Sequence, residues 1–158
     1  MRYVTRVLQP GEAVVHATRL HWVIFVPAIV LLVIALAFFV AFGLFPAGGM
    51  SGDIGTALEI LAAIFALFAV SSWLRAAIRR ATTELAVTDR RVIYKAGLLS
   101  RHTLEMNRSK VESIDVDQSL LGRILGFGTI IVRGTGGSLE PIRRISDPLS
   151  FRSHITAL

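Results

Sequence analysis

Side chains able to do chemistry are few in this sequence and badly spaced for it. Cysteine is absent, which removes thiolate nucleophiles, disulfides and thiolate metal sites together. The histidines are His16, His21, His102 and His154. None falls in H-x3-H or HExxH spacing, so no pair of imidazoles shares a helix face in front of a metal ion. No metal and no cofactor is expected. The string Gly126–Phe127–Gly128 invites comparison with a nucleotide loop. It lacks the G-x-G-x-x-G spacing and the GK[ST] ending, and it leads into a β-branched run instead of a helix N-terminus. It reads as a turn where two backbones approach closely. Ser109 and Ser113 lie outside any G-x-S-x-G elbow. No catalytic residue is assigned, and the chain is expected not to be an enzyme.

Charge is the remaining signal. Lys and Arg number 17 against 11 Asp and Glu, a net charge of +6. Arg75, Arg79 and Arg80 follow directly on an apolar run, and Arg90–Arg91 and Arg143–Arg144 form two further pairs. Guanidinium groups next to an anionic leaflet gain about 1 kcal/mol each. All seven are therefore candidate ligands for lipid headgroups, and the trio at 75–80 has the simpler role of fixing topology. Glu59 is the one charge within the second apolar run. An ionisable group there is a candidate for ion or proton passage. Its place near the outer end of the run also suits a structural contact with headgroups, water or an oligomer partner.

The elements that must position these groups fall into two classes. Residues 22–45 carry no charge, and residues 54–74 carry only Glu59. About 20 apolar residues suffice to cross a bilayer core, so both runs read as transmembrane helices. The first is too long and starts too late for a cleaved signal peptide. Residues 46–53, PAGGMSGD, make a turn and hence an external loop. That loop has no Lys or Arg, whereas Arg2, Arg6, Arg19, Arg75, Arg79 and Arg80 flank the other ends. The positive-inside rule then places both termini in the cytoplasm, with Trp22 and Trp73 as interfacial anchors at that side. The expected location is the inner cell membrane, as a multi-pass protein. Gly55, Ala62, Ala63, Ala66 and Ala69 offer the second helix a close-packing face.

Residues 82–158 have the short periods of strands. TELAVT puts Leu85 and Val87 on one face, RVIYKAG Val92 and Tyr94, RHTLEMN Leu104 and Met106, and VESIDVD Ile114 and Val116. Val111 is out of phase, which suggests a bulge or a later start. Leu120, Leu121, Ile124 and Leu125 are spaced as a helical turn spaces them. TIIVRG and LEPIRRI follow as strands around the turn TGGS. Asp147–Pro148 opens a short helix with Pro148, Phe151, Ile155 and Leu158 on one face. Six strands and a helix read as a small antiparallel barrel or sandwich. Some 77 residues is marginal for a core, and Glu12 to Thr18 in the N-terminal segment 1–21 is able to add a strand.

These residues resemble the bacterial PH-like (bPH) domain, and the whole chain is similar to the YdbS-like PH-domain membrane proteins. The resemblance rests on the strand from Thr88 to Ile93, on Gly97 to Leu99, on the VESIDVDQS segment from Val111 to Ser119, and most of all on LGRILGFGTIIV, Leu121 to Val132. The two apolar runs and the upstream Pro10–Gly11–Glu12 fit the same layout. The resemblance implies an all-β PH-like barrel capped by a C-terminal helix, following a two-helix transmembrane hairpin, and it carries over no catalytic residue. The expected function is that of a non-enzymatic integral membrane protein whose PH-like domain, at the cytoplasmic face, binds membrane lipids, a second copy of itself as a homo-oligomer, or another membrane protein. Nucleic acid is not an expected partner. The alternative is a subunit of a membrane transport or pore assembly using Glu59.

Overall fold

The computed structural model describes residues 3–44, 52–98, 102–135, 137–138 and 141–157. The external loop expected at 46–53 lies outside these as far as Ser51. So do Leu99 of the Gly97–Leu99 stretch and Leu158 of the terminal helix face. In chain order the elements are α1 (Val4–Val7), β1 (Val14–Thr18), a 3-10 turn (Trp22–Phe25), α2 (Val26–Leu44), α3 (Gly52–Thr82), β2 (Glu84–Thr88), β3 (Arg91–Ala96) and β4 (His102–Asn107). A second 3-10 turn (Arg108–Lys110), β5 (Val111–Asp117), α4 (Leu120–Leu125), β6 (Phe127–Gly134), β7 (Gly137–Ser138), β8 (Ile142–Ser146) and α5 (Pro148–Thr156) complete it. The chain divides into two units, Ile24–Ala77 and the remainder, Met1–Val23 with Ile78–Leu158.

In the helical unit, α2 and α3 pack through alanines. Ala28 and Ala35 are buried on α2, and Ala62, Ala69 and Ala76 on α3. A seven-residue repeat keeps one seam facing its neighbour, and a missing side chain beyond Cβ lets the two backbones approach. Aromatic pairs flank the seam, Phe38 with Phe65 at 5.5 Å and Phe25 with Trp73 at 6.3 Å between centroids. Ala63 is exposed, and Gly55 and Ala66 are half-buried. The close-packing face is thus narrower than the small residues suggest, and it extends further, to Ala76. α3 continues past Leu74 to Thr82, because Arg75 to Ala81 contains only good helix formers and one Ile. Leu32, Phe39, Leu67 and Val70 point outward. Only 17% and 11% of the two most apolar windows are buried, which is the reverse of a soluble core helix, and both helices are long and apolar enough to cross a membrane.

The β-rich unit holds two antiparallel four-stranded sheets. One has the order β1-β2-β3-β4, and in the other β5 pairs β6, which pairs both β7 and β8. β1 is the strand formed by the N-terminal segment, and its register runs from Val14 against Thr88 to Thr18 against Leu85. The sheets join along one seam. Leu20 bridges Ile145, the Ser146 N–H donates to the Arg19 carbonyl at 3.0 Å and the His21 N–H to the Arg144 carbonyl at 2.7 Å. On the other side, among the described residues, no ladder joins β4 to β5. The expected barrel is therefore open there. The connecting turn is drawn to α5 instead, where the Arg108 guanidinium donates to the Ile155 carbonyl at 2.6 Å. Val111 is indeed bulged, with the register shifting between it and Ser113.

Leu85, Val87, Val92, Ile130, Val132, Ile142 and Ile145 form the interior with Phe151 and Ile155 of α5. The opposite face of β2 and β3 is buried as well. Ala86 pairs Ile93, and Val4 of α1 covers both. The Glu84 carboxylate fixes α1 by accepting from the Tyr3 and Val4 N–H groups, each at 3.1 Å. Asp147 precedes α5 at φ 48° and makes no side-chain cap bond, so Pro148 alone supplies the helix-start chemistry expected of that pair.

Candidate functional site

His21 bonds Val23, where the chain leaves the β-rich unit, and feels the charge of Arg80, shortly after the chain returns to that unit at Ile78. Its ring stacks on Phe127 of β6, with centroids 5.4 Å apart, and lies 5.4 Å from the Trp22 ring. Its Nδ1 accepts from the Val23 N–H at 3.3 Å. The Nε2 tautomer is then the one that donates to the Leu125 backbone at the end of α4. Burial lowers the His21 pKa first and the Arg80 charge second, against that bond. Arg80 of α3, Arg144 of β8, α4 and Trp22 thus all lie about one imidazole. Arg144, at φ 61°, also lines a cleft of about 300 Å³ with Asp117, Gln118, Ser119, Phe127 and Gly128.

α4 beside it has an unusual exterior. Its spacing is legible in the sequence, but its direction is not. Leu120, Leu121, Ile124 and Leu125 are 78%, 66%, 79% and 41% exposed. Gly122 is the residue that faces inward, and a Cβ there would lie 2.6 Å from the Phe127 carbonyl oxygen. Both ends are closed: Ser119 Oγ accepts from the Gly122 N–H at 3.1 Å, and Gly126 ends the helix at φ 75°.

The basic candidates separate. Arg75, Arg79 and Arg80 are exposed along the C-terminal part of α3, and Arg143 and Arg144 are exposed on β8. Arg90 and Arg91 lie elsewhere. β2 starts at Glu84, next to the end of α3, and runs to Thr88 before turning through Asp89 and Arg90. At about 3.3 Å per residue this puts the Arg90–Arg91 pair about 15 Å along the sheet from the His21 end. Arg90 is half-exposed beside Asp89 at 3.9 Å. Arg91 is only 13% exposed and is committed to carboxylates. Its Nε and Nη2 meet Glu12 at 2.9 and 2.8 Å, its Nη1 meets Glu105 at 2.6 Å, and Nη2 also donates to the Val7 carbonyl at 2.8 Å. Glu12 has no exposed side-chain surface. It accepts further bonds from the Gln9 N–H and the Thr88 hydroxyl, at 2.8 and 2.7 Å. The Arg91 bond is the main reason its carboxyl pKa falls from 4.5 to about 2, overcoming the upward push of burial. Glu59 is exposed on α3.

Among the described residues no group of three or more His, Asp or Glu could hold a metal ion. His16 and His154 do stack at 4.3 Å, but as packing between β1 and α5. A family model described as a bacterial PH domain matches residues 13–158. The chain belongs to the bacterial PH domain family. No curated protein and no solved structure matches it. In this bacterial PH domain the match begins one residue before β1, so β1 is a strand of the domain, and α2 and α3 are inserted between its first and second strands. His21 and Glu12 are the site residues that spacing could not reveal. Each acts through partners far away in sequence, and the only local sign is the Pro10–Gly11 turn, with Gly11 at φ 77°, that delivers Glu12.

Proposed function

We propose that this protein is a two-span integral membrane protein that holds a non-catalytic bacterial PH domain at the cytoplasmic face of the cell membrane, as a binding module for anionic lipid headgroups. The observation that carries this is the arrangement about His21. Both points at which the chain leaves the domain for an apolar helix lie at one end of it, and Arg79, Arg80, Arg143 and Arg144 are exposed in that region. Arginines at the exit of a span both fix its orientation and attract acidic lipid. Arg75 contributes to orientation from α3. Arg91 is left out because its charge is already neutralised by Glu12 and Glu105.

The test has two parts. A cysteine at Ser51 should react with an impermeant maleimide in intact cells, while a reporter enzyme fused after Leu158 reports the inner compartment. The full chain purified in detergent should then carry over anionic lipid in preference to zwitterionic lipid, as read by native mass spectrometry. Replacement of Arg79, Arg80, Arg143 and Arg144 by Gln should remove that preference. Equal carry-over before and after the replacement rejects headgroup binding, and a reporter active only outside rejects the orientation.

A further inference from the structure

We infer that α4 is a third membrane contact: a short helix that enters the facing leaflet without crossing it, with Leu120, Leu121 and Ile124 among the acyl chains and Arg123 at the headgroups. This rests on the membrane-anchored reading above and adds to it a residue-level claim about how the domain is held. Three observations lead to it. First, the apolar side chains are presented by construction. Gly122 is the one small residue of LLGRIL, and it is the residue pressed against the Phe127 carbonyl, so the aliphatic side chains must point away from the sheet. A helix that belonged to the core would have the opposite orientation. Second, both ends of α4 are capped, by Ser119 and by Gly126, so those side chains are held out on a fixed element. Third, the helix is pinned beside the start of an apolar run. His21 bonds the Leu125 backbone, stacks on Phe127 and adjoins Trp22, where that run begins.

The acyl layer is the occupant these facts select. The patch is tied to the residues that lead into α2 by the buried His21, which bonds the Leu125 backbone and meets the Trp22 ring. Its single charged member is Arg123, and long basic side chains reach headgroups while their stems lie in apolar surroundings. Interfacial elements of this kind combine buried aliphatic area with attraction to anionic lipid.

The chain has no cysteine, so single cysteines can be read without background. Ile124→Cys and Leu120→Cys, both at highly exposed positions, are labelled with an environment-sensitive fluorophore in the full chain. The labelled chain is reconstituted into vesicles of phosphatidylcholine with phosphatidylglycerol. Phe39→Cys, on the outward face of α2, is the mid-span control. Ser109→Cys is the aqueous control; it lies in the turn whose Arg108 N–H meets the Arg90 carbonyl, at the end of the sheet away from His21. Expected is a loss of fluorescence to acyl-chain nitroxide at Ile124→Cys and Leu120→Cys comparable with that at Phe39→Cys, with iodide quenching confined to Ser109→Cys. Iodide quenching at both α4 positions, with Phe39→Cys still lipid-quenched, overturns the inference and leaves the spans intact. Protection of α4 from both quenchers also overturns it and assigns the patch to a second copy or another protein. Iodide quenching at Phe39→Cys removes the membrane reading itself.

Discussion

Replacing Arg91 by Met keeps the aliphatic stem and deletes the fork that neutralises Glu12. The carboxylate is then left with the Gln9 N–H and the Thr88 hydroxyl and no exposed surface. Removing one member of a buried ion pair costs about 3–5 kcal/mol. Here the cost has a ceiling, because Glu12 can escape by binding a proton. From an ordinary pKa of 4.5, that protonation costs about 3 kcal/mol at pH 7, at about 1.4 kcal/mol per unit. Protonation therefore adds about 3 kcal/mol to the loss of the ion pair at neutral pH, and this part of the defect should shrink by about 1.4 kcal/mol for each unit of acidification towards 4.5, where the loss of the pair itself remains. The unmodified protein behaves in the opposite sense. Its Glu12 pKa is depressed, so the ion pair's contribution is complete above 4.5 and is lost as pH falls through about 2. The assay is native-state hydrogen exchange at the paired strand residues Ala86 and Ile93 in the detergent-solubilised full chain, corrected for intrinsic rates. About 3 kcal/mol corresponds to about two decades in exchange rate. Glu12→Gln combined with Arg91→Met should be less damaging than the sum of the single changes, since the two act as one unit. An acceleration below about threefold at neutral pH, or a defect that does not change with pH, refutes the reasoning.

Other outcomes follow from the same geometry. Gly122→Ala puts a methyl group 2.6 Å from a backbone oxygen and should lower stability by about 1–3 kcal/mol, read as a drop in Tm. Arg108→Met removes the guanidinium that closes the C-terminus of α5. The loss should be about 1.5 kcal/mol, the low end for charged bonds because the Arg108 Nε is buried with no partner among the described residues, and it should appear as faster exchange confined to α5. His16 has its pKa lowered by burial and by His154, with Asp147 opposing. The unfolded chain therefore takes up this proton first, and stability that is complete above 6.5 declines as pH falls through the depressed value. Tm in detergent should fall on acidification to about pH 5.5, and His16→Gln should flatten that slope.

Composition alone made α2 and α3 legible, because apolar runs of that length, one without a charge and one with only Glu59, are long enough to cross a bilayer. Alternation located β2 to β5, the β-branched run TIIVRG located β6, and the phase of Pro148, Phe151 and Ile155 located α5. Alternation also misled at β2, where Ala86 reads as a surface residue. Four residues of α1, held by Glu84, turn it into a second core. No local pattern announces such a docking, since its partners are 80 residues away. The surroundings of the Arg90–Arg91 pair were hidden for the same reason. Arg90 and Arg91 are neighbours in the chain, but Arg91 is taken by an acid 79 residues upstream, and the strand register carries both away from the His21 end. In α4 the spacing was readable, but only the approach of Gly122 to Phe127 decides which way the leucines point.

The split of one sheet around the helical hairpin has a consequence for biogenesis. β1 is synthesised before α2 and α3, and its partner β2 after them. If the hairpin threads correctly, the two halves of that ladder emerge into the same compartment and zip together. If only one of the helices threads, β1 and β2 are stranded on opposite sides of the lipid and the sheet lacks an edge. On the two-span reading proposed above, completion of the domain would report faithful insertion, and a misthreaded copy would present the cell's proteases with an unfinished ribbon.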